Sequence, residues 1–328
     1  MQKMKGMKHL AWIFALSAGL LLLVREASPI PVLLADRYLP GGGVLQIPAM
    51  GAYACIIGYK LLHAANSAQI RSRIWAFFSL VFFVQLALGL AGMEAMLMTG
   101  DLHAPVPALI LAGPVYRGHG LFMPILYAVT VLLVGPAWCS YLCYIGAWDD
   151  LAARRRKSDF RPVPTWATHV LRTAILLGIV ATALGLRWSN APLGLAVGLA
   201  LCFGMAGVGV MGLISTRTGH MVHCTVICPI GLISNLAGRI SPWQLRIDPG
   251  CSECGLCSRA CRYSALSPHD LRKGKPGLTC TLCGDCVGRC PNGLIGYRFP
   301  GLSSEQARAA FVVLIVSMHT LFLGVARI

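Results

Sequence analysis

The fold is decided by residues 251–290, which begin CSECGLCSRAC at 251–261 and end CTLCGDCVGRC at 280–290. Each of these two runs has the spacing C-x2-C-x2-C-x3-C, and the second starts 29 residues after the first. Three cysteines separated by two residues, with a fourth three residues further on, are typical of the run that holds cubane iron–sulfur clusters in bacterial ferredoxins.

In such a run, the fourth cysteine ligates the cluster of the other half. The sequence therefore predicts two [4Fe-4S] clusters with crossed ligands. The predicted ligands are Cys251, Cys254, Cys257 and Cys290 for the first cluster, and Cys280, Cys283, Cys286 and Cys261 for the second.

Two alternatives to clusters are weaker. Structural zinc usually takes two C-x2-C pairs, so each run has more cysteines than a zinc ribbon needs. A disulfide framework is disfavoured because the flanking chain is typical of a membrane protein with this segment facing the cytoplasm. The two runs differ immediately after their last cysteine, since Cys290 precedes Pro291 whereas Cys261 precedes Arg262.

Composition indicates an integral membrane protein. Of the 328 residues, 56% are hydrophobic and 12% are charged, whereas soluble domains have about 25% charged residues. The chain has 28 Lys and Arg against 12 Asp and Glu, a net charge of +16. Because these cations follow the predicted cytoplasmic side, we assign the excess to membrane topology and lipid contact, and we expect no nucleic acid partner.

Long apolar runs predict seven transmembrane helices. They lie at about 9–24, 44–63, 74–97, 120–138, 167–186, 191–214 and 307–326. The first is interpreted as an uncleaved anchor, since no small-x-small cleavage site follows it. Residues 98–119 are interpreted as a loop with a short re-entrant piece at 106–113.

The predicted fold class is an integral membrane, all-α helical bundle of about seven transmembrane helices with an inserted bacterial-type 2[4Fe-4S] ferredoxin domain. Four segments are expected: N-terminal transmembrane helices at 1–119, a duplicated core at 120–242, the ferredoxin domain at 243–299 and a C-terminal helix at 300–328. The basic run at 154–157 lies on the predicted inside, which places the ferredoxin domain on the cytoplasmic side of a bacterial cytoplasmic membrane.

A second group of cysteines lies before the ferredoxin runs. Cys139 and Cys143 occur in WCSYLCYIGAWDDLAAR, and Cys224 and Cys228 occur in HCTVICPIGLISNLAGR, 85 residues later. The shared positions indicate an internal repeat of a span followed by a C-x3-C pair. In a helix, residues i and i+4 share a face, so two facing pairs would form a four-thiolate site.

Four sulfurs in one cage suit an iron–sulfur centre or another soft metal. The alternative is that these cysteines are reduced structural thiols, or that they exchange electrons as thiols. The two copies differ at one position, because Tyr144 stands where Pro229 stands in the second copy.

These motifs resemble the NapH-type membrane ferredoxins of periplasmic nitrate reductase systems, together with the related MauN and NosR-like polyferredoxins. The matching residues are Cys139-SYL-Cys143, Cys224-TVI-Cys228-Pro229 and the two four-cysteine runs, and the resemblance covers about 120–299. It implies a quinol-linked redox protein of the cytoplasmic membrane. Tyr144 departs from the C-x3-C-P of the family, and the N-terminal and last spans lie outside its four-helix core.

The predicted function is electron transfer between the quinone pool, or a membrane redox partner, and a partner oxidoreductase. The chain would be a non-catalytic subunit of a larger complex. An alternative is a maturation factor that supplies electrons to a partner metalloenzyme. Acids within membranes are functional candidates, so Glu94 and His119 are a candidate quinone site, although Glu94 could simply be an interfacial acid.

Cations around the clusters could dock an acidic redox partner, or could simply compensate the charge of the clusters. They are Arg259, Arg262, Arg272, Lys273, Lys275 and Arg289.

Overall fold

The computed structural model describes residues 2–64, 66–97, 104–155 and 167–325. In chain order, the helices are α1 (Gln2–Ala27), α2 (Leu34–Tyr38), α3 (Gly43–His63), α4 (Ser67–Leu90), α5 (Leu109–Arg117), α6 (Phe122–Val134), α7 (Trp138–Tyr141), α8 (Tyr144–Arg154), α9 (Arg172–Trp188), α10 (Leu193–Val210), α11 (Thr216–Thr218), α12 (Pro229–Ala237), α13 (Leu256–Ala260), α14 (Pro268–Arg272) and α15 (Ser304–Val325). Strands β1 (Gln244–Ile247) and β2 (Ile295–Arg298) form a two-stranded sheet. Arg156 and Lys157 of the predicted basic run lie outside the described residues.

Within these residues, seven helical segments are long and apolar enough to cross a membrane. They are Met7–Ala27, Gly43–His63, Ser67–Leu90, Phe122–Tyr141, Thr168–Trp188, Leu193–Thr218 and Ser304–Val325. Their number and order confirm the predicted multi-pass helical architecture. Several of these helices expose much apolar surface. On α10, for example, Leu195, Leu199 and Met205 are 43–67% exposed, which suits a helix surrounded by lipid.

The start of the third span differs from the prediction. Helix α4 begins at Ser67, whereas the sequence predicted a span that begins at about residue 74. Arg71 is 2% exposed in the second turn of this helix, and its guanidinium carbon lies 5.3 Å from the centroid of the Trp75 ring. A cation over an indole one turn away is stabilising, so the arginine lies inside the helix instead of preceding it.

The end of this span is also earlier than predicted. Helix α4 ends at Leu90, and Gly92 follows with φ +109°, a conformation that glycine adopts without steric cost. Glu94 therefore lies in a separate 3₁₀ turn, Glu94–Met96. Its predicted position within the outer end of the span is wrong.

Contacts divide the chain into two compact units. The first contains Met1–His103 and Arg298–Ile328, and the second contains Ala104–Tyr297. The four predicted segments remain a prediction; the first and last fall mostly in the first unit, and the middle two fall mostly in the second.

The first unit packs α1 and α3 against α15. Gly58 of α3 faces the side chain of Ile13 so closely that a Cβ would overlap it. Buried polar side chains also join these helices: the Ser17 hydroxyl donates to Ser317 at 3.1 Å. The Tyr53 hydroxyl and the ring of His319 form a second link at 3.2 Å. Small residues and interhelical hydrogen bonds are the usual means of association between membrane helices.

The second unit holds both copies of the repeat and both cysteine runs. The predicted short piece at 106–113 corresponds to α5, whose Tyr116 hydroxyl donates to the carbonyl of Ala191 at 2.7 Å. The two copies of the repeat also bind each other, because the Tyr127 hydroxyl of α6 donates to the carbonyl of Ile230 in α12 at 2.9 Å. All twelve motif cysteines therefore belong to one packed unit.

Candidate metal centres

The two cysteine runs repeat each other in backbone conformation as well as in sequence. The residue before each second cysteine, Glu253 or Leu282, is left-handed, with φ of 52° and 54°. The glycine after that cysteine, Gly255 or Gly284, is also left-handed, with φ of 73° and 79°. This conformation costs a side-chain-bearing residue about 1–2 kcal/mol. Its recurrence at the same place in both runs is typical of a loop that wraps around a ligand.

The fourth cysteine of each run also has a repeated environment. Cys261 and Cys290 are extended, with φ/ψ of −80°/97° and −81°/111°. Each Sγ accepts a backbone N–H from four residues on, Ala265 or Leu294, at 3.3 Å in both cases. Such N–H···S bonds stabilise negative charge on a ligand sulfur and tune the potential of a cluster.

The first predicted ligand set surrounds a small cavity. Cys251, Cys254, Cys257 and Cys290 all line it, together with Pro291. The last cysteine of the second run thus lies beside the first three cysteines of the first run. Crossed ligation requires this arrangement.

The second predicted set is more buried than the first: Cys261 and Cys286 are buried, and Cys280 and Cys283 are half-buried. Burial raises the pKa of the Cys286 thiol well above its ordinary value, and Cys283, Cys261 and Cys280 are close enough to raise it further. Burial is also the main reason that the pKa of Cys261 and that of Cys280 rise to about 12. Thiols in such surroundings become thiolates only beside positive charge, which iron supplies.

Among the residues that the structure describes, no three His, Cys, Asp or Glu side chains converge on a single metal-ion position. A cubane cluster binds four cysteines through four separate irons, so its ligands surround a volume without meeting at one point.

The C-x3-C pairs do not lie on one helical face, and that prediction is wrong. Cys139 is in α7, which ends two residues before Cys143, and Cys143 is extended, with φ/ψ of −80°/112°. Cys224 lies in a π-helical turn, and Cys228 is extended, with φ/ψ of −71°/115°. Each pair therefore spans the break between one helix and the next.

The second copy carries a sequence signal for this break. Pro229 follows Cys228, and a residue before proline avoids the α region. Cys143 adopts the same conformation before Tyr144, without a proline. In both copies, the N–H of the second cysteine donates to the carbonyl five residues earlier, at 3.0 and 2.8 Å. The replacement at Tyr144 thus leaves the backbone at the second cysteine the same in both copies.

The structure brings the four C-x3-C cysteines together. Burial raises the pKa of the Cys224 thiol well above its ordinary value, and Asp149, Cys228, Cys143 and Cys139 all raise it further through their nearby charges. The two copies of the repeat therefore contribute one pair each to a shared, water-poor region.

A buried arginine lies beside this group. Arg172 is 1% exposed, and its Nη1 donates to the Asn235 side chain at 3.1 Å while its Nε donates to the carbonyl of Cys228 at 3.4 Å. Among the described residues, its Nη2 has no hydrogen-bond partner. Within the described part of the chain, no carboxylate forms an ion pair with Arg172.

The charge of Arg172 acts on the Cys228, Cys139 and Cys224 thiols. Burying a cation without an anionic partner costs several kcal/mol. Thiolates around a metal centre would supply the missing negative charge, so the orphaned Nη2 fits such a centre. Sequence reasoning missed this residue, although a charge near the end of a predicted span is a signal of function.

Asp149 is a second buried charge that sequence reasoning missed. Its carboxylate accepts the backbone N–H of Cys224 at 2.9 Å, which links α8 of the first copy to the cysteine pair of the second. Burial raises the pKa of Asp149 to about 6. The aspartate fixes the position of Cys224 through the backbone.

The second cysteine run docks directly onto the repeat. Three of its backbone carbonyls accept side-chain hydrogen bonds from residues beside the C-x3-C pairs. The bonds run from Asn235 to Cys280 at 3.2 Å, from Ser140 to Thr281 at 2.9 Å and from Tyr141 to Cys283 at 3.0 Å. Arg154 adds ion pairs to Asp150 at 2.7 Å and to Asp285 at 2.6 Å.

The first run contacts the second copy of the repeat through Arg262. Its carbonyl accepts the N–H of Met221 at 2.9 Å, and its Nη1 donates to the carbonyl of Gly219 at 2.9 Å. The arginine that replaces the expected proline therefore binds within the unit. This contact gives Arg262 a structural role within the unit, and the docking of an acidic partner stays a prediction.

The two candidate quinone residues do not form a site within either unit. Glu94 belongs to the first compact unit and His119, which is exposed between α5 and α6, belongs to the second. Their role remains a prediction.

Comparison with known proteins identifies the repeat. A protein family described as a 4Fe-4S binding domain matches residues 117–161 and 197–247. The first matched stretch contains the span Phe122–Tyr141 and the second contains most of the span Leu193–Thr218. Each carries one C-x3-C pair, and the second stretch ends before Cys251. One family matching twice supports the internal duplication.

Three curated relatives are each similar over more than half of the chain. The methylamine utilization ferredoxin-type protein MauN of Paracoccus denitrificans is 28% identical over 61% of this chain and 70% of its own length. YccM of Escherichia coli, described by its name as an electron transport protein, is 22% identical over 62% of this chain, which spans only 59% of YccM. An uncharacterized protein of Methanocaldococcus jannaschii is 24% identical over 53% of this chain and 68% of its own length.

No solved structure matches the chain. The matches to relatives confirm the predicted resemblance to MauN-like membrane polyferredoxins, and they support an iron–sulfur protein of electron transport.

Proposed function

We propose that this chain, which resembles the MauN-like polyferredoxins, passes electrons between the quinone pool, or a membrane redox partner, and a partner oxidoreductase. The docking of the second cysteine run onto the repeat carries this proposal. Ser140 and Tyr141 directly follow Cys139 and donate to carbonyls of the second run, including that of Cys283. An electron path from Cys139 to this run therefore consists of short covalent segments joined by one hydrogen bond.

In this proposal, the eight ferredoxin cysteines hold two [4Fe-4S] clusters with crossed ligands. When bound, the clusters supply reversible one-electron exchange. The chain supplies thiolates on strained loops, whose left-handed residues fold the backbone around each ligand volume. The N–H groups of Ala265 and Leu294 stabilise the charge on Cys261 and Cys290.

The C-x3-C cysteines hold a further iron–sulfur centre or another soft metal in the same proposal. Cys139, Cys143, Cys224 and Cys228 supply four sulfurs, the donor type that such centres prefer. Arg172 compensates their negative charge from within the packed unit. The family match supports this assignment because both matched stretches carry the C-x3-C pairs.

We also assign the chain to a bacterial cytoplasmic membrane with the ferredoxin domain on the cytoplasmic side. With seven spans and the N-terminus inside, the basic residues of the ferredoxin domain and those after α8 share the inner side, as the positive-inside rule requires. Fusing a reporter that works only in the cytoplasm after Thr218 tests this orientation. An inactive reporter there would reverse it.

Iron and acid-labile sulfide per protein, with EPR of the dithionite-reduced sample, test the proposed centres. We expect more than about eight irons in the native protein, because two cubanes alone account for eight. Cys143→Ser and Cys228→Ser should each lose the excess and one EPR signal. Cys202→Ser is the matched control, since this exposed cysteine lies outside both motifs.

About eight irons in the native protein, unchanged by Cys143→Ser, would overturn the further iron–sulfur centre and leave the two clusters intact. Fewer than about four irons in the native protein, reconstituted without oxygen, would overturn the cluster proposal itself. Co-purification distinguishes the roles: a stoichiometric oxidoreductase partner supports a respiratory subunit, and transient contact alone favours a maturation factor.

A further inference from the structure

A large cavity lies in the second unit, beside the second cysteine run. Its volume is about 640 Å³, within the range of small-molecule sites, about 300–1,000 Å³. Thr168 and Pro136, from two candidate spans, form part of its wall, and Trp243 and Cys280 form other parts. The cavity thus opens where membrane helices meet the ferredoxin segment.

The walls of the cavity are strongly cationic. Four basic side chains line it: Arg239, Arg246, Lys273 and Lys275. Asp270 is the single carboxylate among the described lining residues. Its Oδ2 accepts two hydrogen bonds from Ser267, one from the backbone N–H at 2.9 Å and one from the side-chain hydroxyl at 2.5 Å. This acid caps the start of α14 and offsets only one of the four positive charges, so the wall keeps a net positive charge.

The cavity wall also contains an unused hydrogen-bond donor. Nη2 of Arg246 donates to the Gln244 side chain at 2.7 Å, whereas its buried Nε has no partner in the part of the chain that the structure describes. A buried N–H without an acceptor costs about 1–3 kcal/mol. An oxyanion in the cavity would satisfy this donor.

The cavity lies at the level expected for lipid head groups. The span Thr168–Trp188 begins at its wall. The indole of Trp243, also in the wall, donates to the carbonyl of Leu133 in a second span at 3.0 Å. Tryptophan is enriched at membrane interfaces, where its ring lies among the head groups.

We infer that this cavity binds the phosphate group of an anionic phospholipid. Four cations, a spare N–H donor and a position at the ends of spans suit a phosphodiester more than a neutral quinone ring. Free inorganic phosphate offers the same chemistry. Because Cys280 lines the cavity, a bound anion would oppose the addition of an electron at a cluster held by this cysteine, a consequence that depends on the proposed function.

The test measures lipid binding to the full-length, cluster-loaded protein after delipidation in detergent. Native mass spectrometry compares phosphatidylglycerol with phosphatidylcholine of the same acyl chains. The test variant is Lys273→Gln with Lys275→Gln, both exposed at the cavity rim. The matched control is Arg259→Gln with Arg289→Gln, which removes the same charge from exposed positions outside the cavity.

We expect the native protein to prefer phosphatidylglycerol, and the cavity variant to lose about tenfold or more of that affinity. The control variant should bind as the native protein does. Competition by inorganic phosphate would identify the phosphate group alone as the ligand, and its failure would assign the site to the intact lipid.

Equal losses in both double variants, or equal affinity for the two lipids, would overturn the inference. Displacement of phosphatidylglycerol by a short-chain quinone at lower concentration would overturn it in favour of a quinone site. Arg239→Gln, a single exposed change, provides a second test if the double variant fails to fold. Iron content, measured on every sample, shows that the clusters are intact, so loss of clusters and loss of lipid binding remain distinct results.

Discussion

The ferredoxin segment and the C-x3-C repeat end their motifs in the same way. In each of the four C-x3-C elements, the last cysteine is extended and follows a helical turn. These cysteines are Cys143, Cys228, Cys261 and Cys290, with φ from −71° to −81° and ψ from 97° to 115°. The same extended conformation therefore ends a helical turn and positions a cysteine sulfur in all four elements.

The two regions differ in what surrounds these sulfurs. In the ferredoxin segment, left-handed residues and N–H···S bonds come from the same short runs as the cysteines. In the repeat, the surroundings come from distant parts of the chain, chiefly Arg172 and Asp149. A compact local motif can hold its cluster by itself, whereas the repeat forms its site only when both copies and α9 have packed.

The largest expected effect tests the crossing of ligands within the ferredoxin segment. Cys261→Ser and Cys286→Ser should each remove about four irons and give the same EPR spectrum, because both cysteines belong to the second set. Cys257→Ser, from the same run as Cys261, should also remove about four irons, but it should leave the EPR spectrum of the second cluster. EPR of reduced samples, with iron analysis, makes the comparison. A Cys261→Ser spectrum that matches Cys257→Ser would show that each run holds its own cluster.

The next effect separates the repeat from the ferredoxin segment. Arg172→Met removes the buried cation that faces the C-x3-C cysteines, and outer-shell changes of this kind typically lower metal affinity by about 10–100-fold. We expect metal in excess of the two ferredoxin clusters to be lost, while the ferredoxin EPR signals remain. Arg172→Lys should retain part of this metal, because the charge is kept but the hydrogen bonds to Asn235 and Cys228 are changed.

Arg187→Met is the matched control for this experiment, since Arg187 lies at the exposed far end of the same helix. Retention of the excess metal in Arg172→Met would show that the buried cation does not support the centre. Loss of the ferredoxin signals together with the excess metal would show instead that Arg172 is needed for the whole unit to fold.

Sequence alone predicted the features that local chemistry determines. The spacing of eight cysteines indicated the cluster runs, and apolar run lengths predicted seven candidate spans, whose number the structure confirms. The predicted helix boundaries were wrong where they depend on packing. Arg71, for example, lies inside α4, where its guanidinium stacks over the ring of Trp75 one turn away. The helical face predicted for the C-x3-C pairs was wrong because the chain breaks before Cys143, where no proline marks the break.

The role of Arg172 was beyond sequence reasoning for a similar reason. Its side chain acts on Asn235, 63 residues away, and on cysteines from both copies of the repeat. Neither contact can be deduced from spacing along the chain. A repeat of C-x3-C pairs predicts that sulfurs meet, but the counter-charge that they require becomes visible only in the folded unit.

A smaller effect should distinguish the two halves of the ferredoxin segment. Gly255→Ala and Gly284→Ala each place a side chain at a left-handed position, at a cost of about 1–2 kcal/mol. Open space surrounds Gly255, but a Cβ at Gly284 would lie 2.6 Å from the hydroxyl of Tyr297, which donates to the carbonyl of Leu282. We therefore expect Gly284→Ala to lower the midpoint of thermal cluster loss more than Gly255→Ala does.

Absorbance of the clusters during heating measures both midpoints. Gly284→Ala with Tyr297→Phe is the informative control. Removal of the Tyr297 hydroxyl relieves the overlap and leaves only the free-energy cost of placing alanine in a left-handed conformation. Equal midpoints for the two alanine variants would show that Tyr297 moves away freely, and that the second half is no more tightly packed than the first.

The smallest effect tests the contact between the two regions. Ser140→Ala and Tyr141→Phe each remove one hydrogen bond to the second cysteine run, and a neutral hydrogen bond contributes about 1 kcal/mol to stability. Ser189→Ala is the control, because this exposed serine makes only a local bond at the end of α9. In the double variant, we expect a small drop in the midpoint of thermal cluster loss and slower reduction of the ferredoxin clusters through the repeat, with iron content unchanged. Stopped-flow reduction measures the rate.

A lower midpoint with an unchanged rate would show that these bonds stabilise the contact without carrying electrons. The electron path between the two regions would then have to cross elsewhere, for example at the hydrogen bond between Asn235 and Cys280.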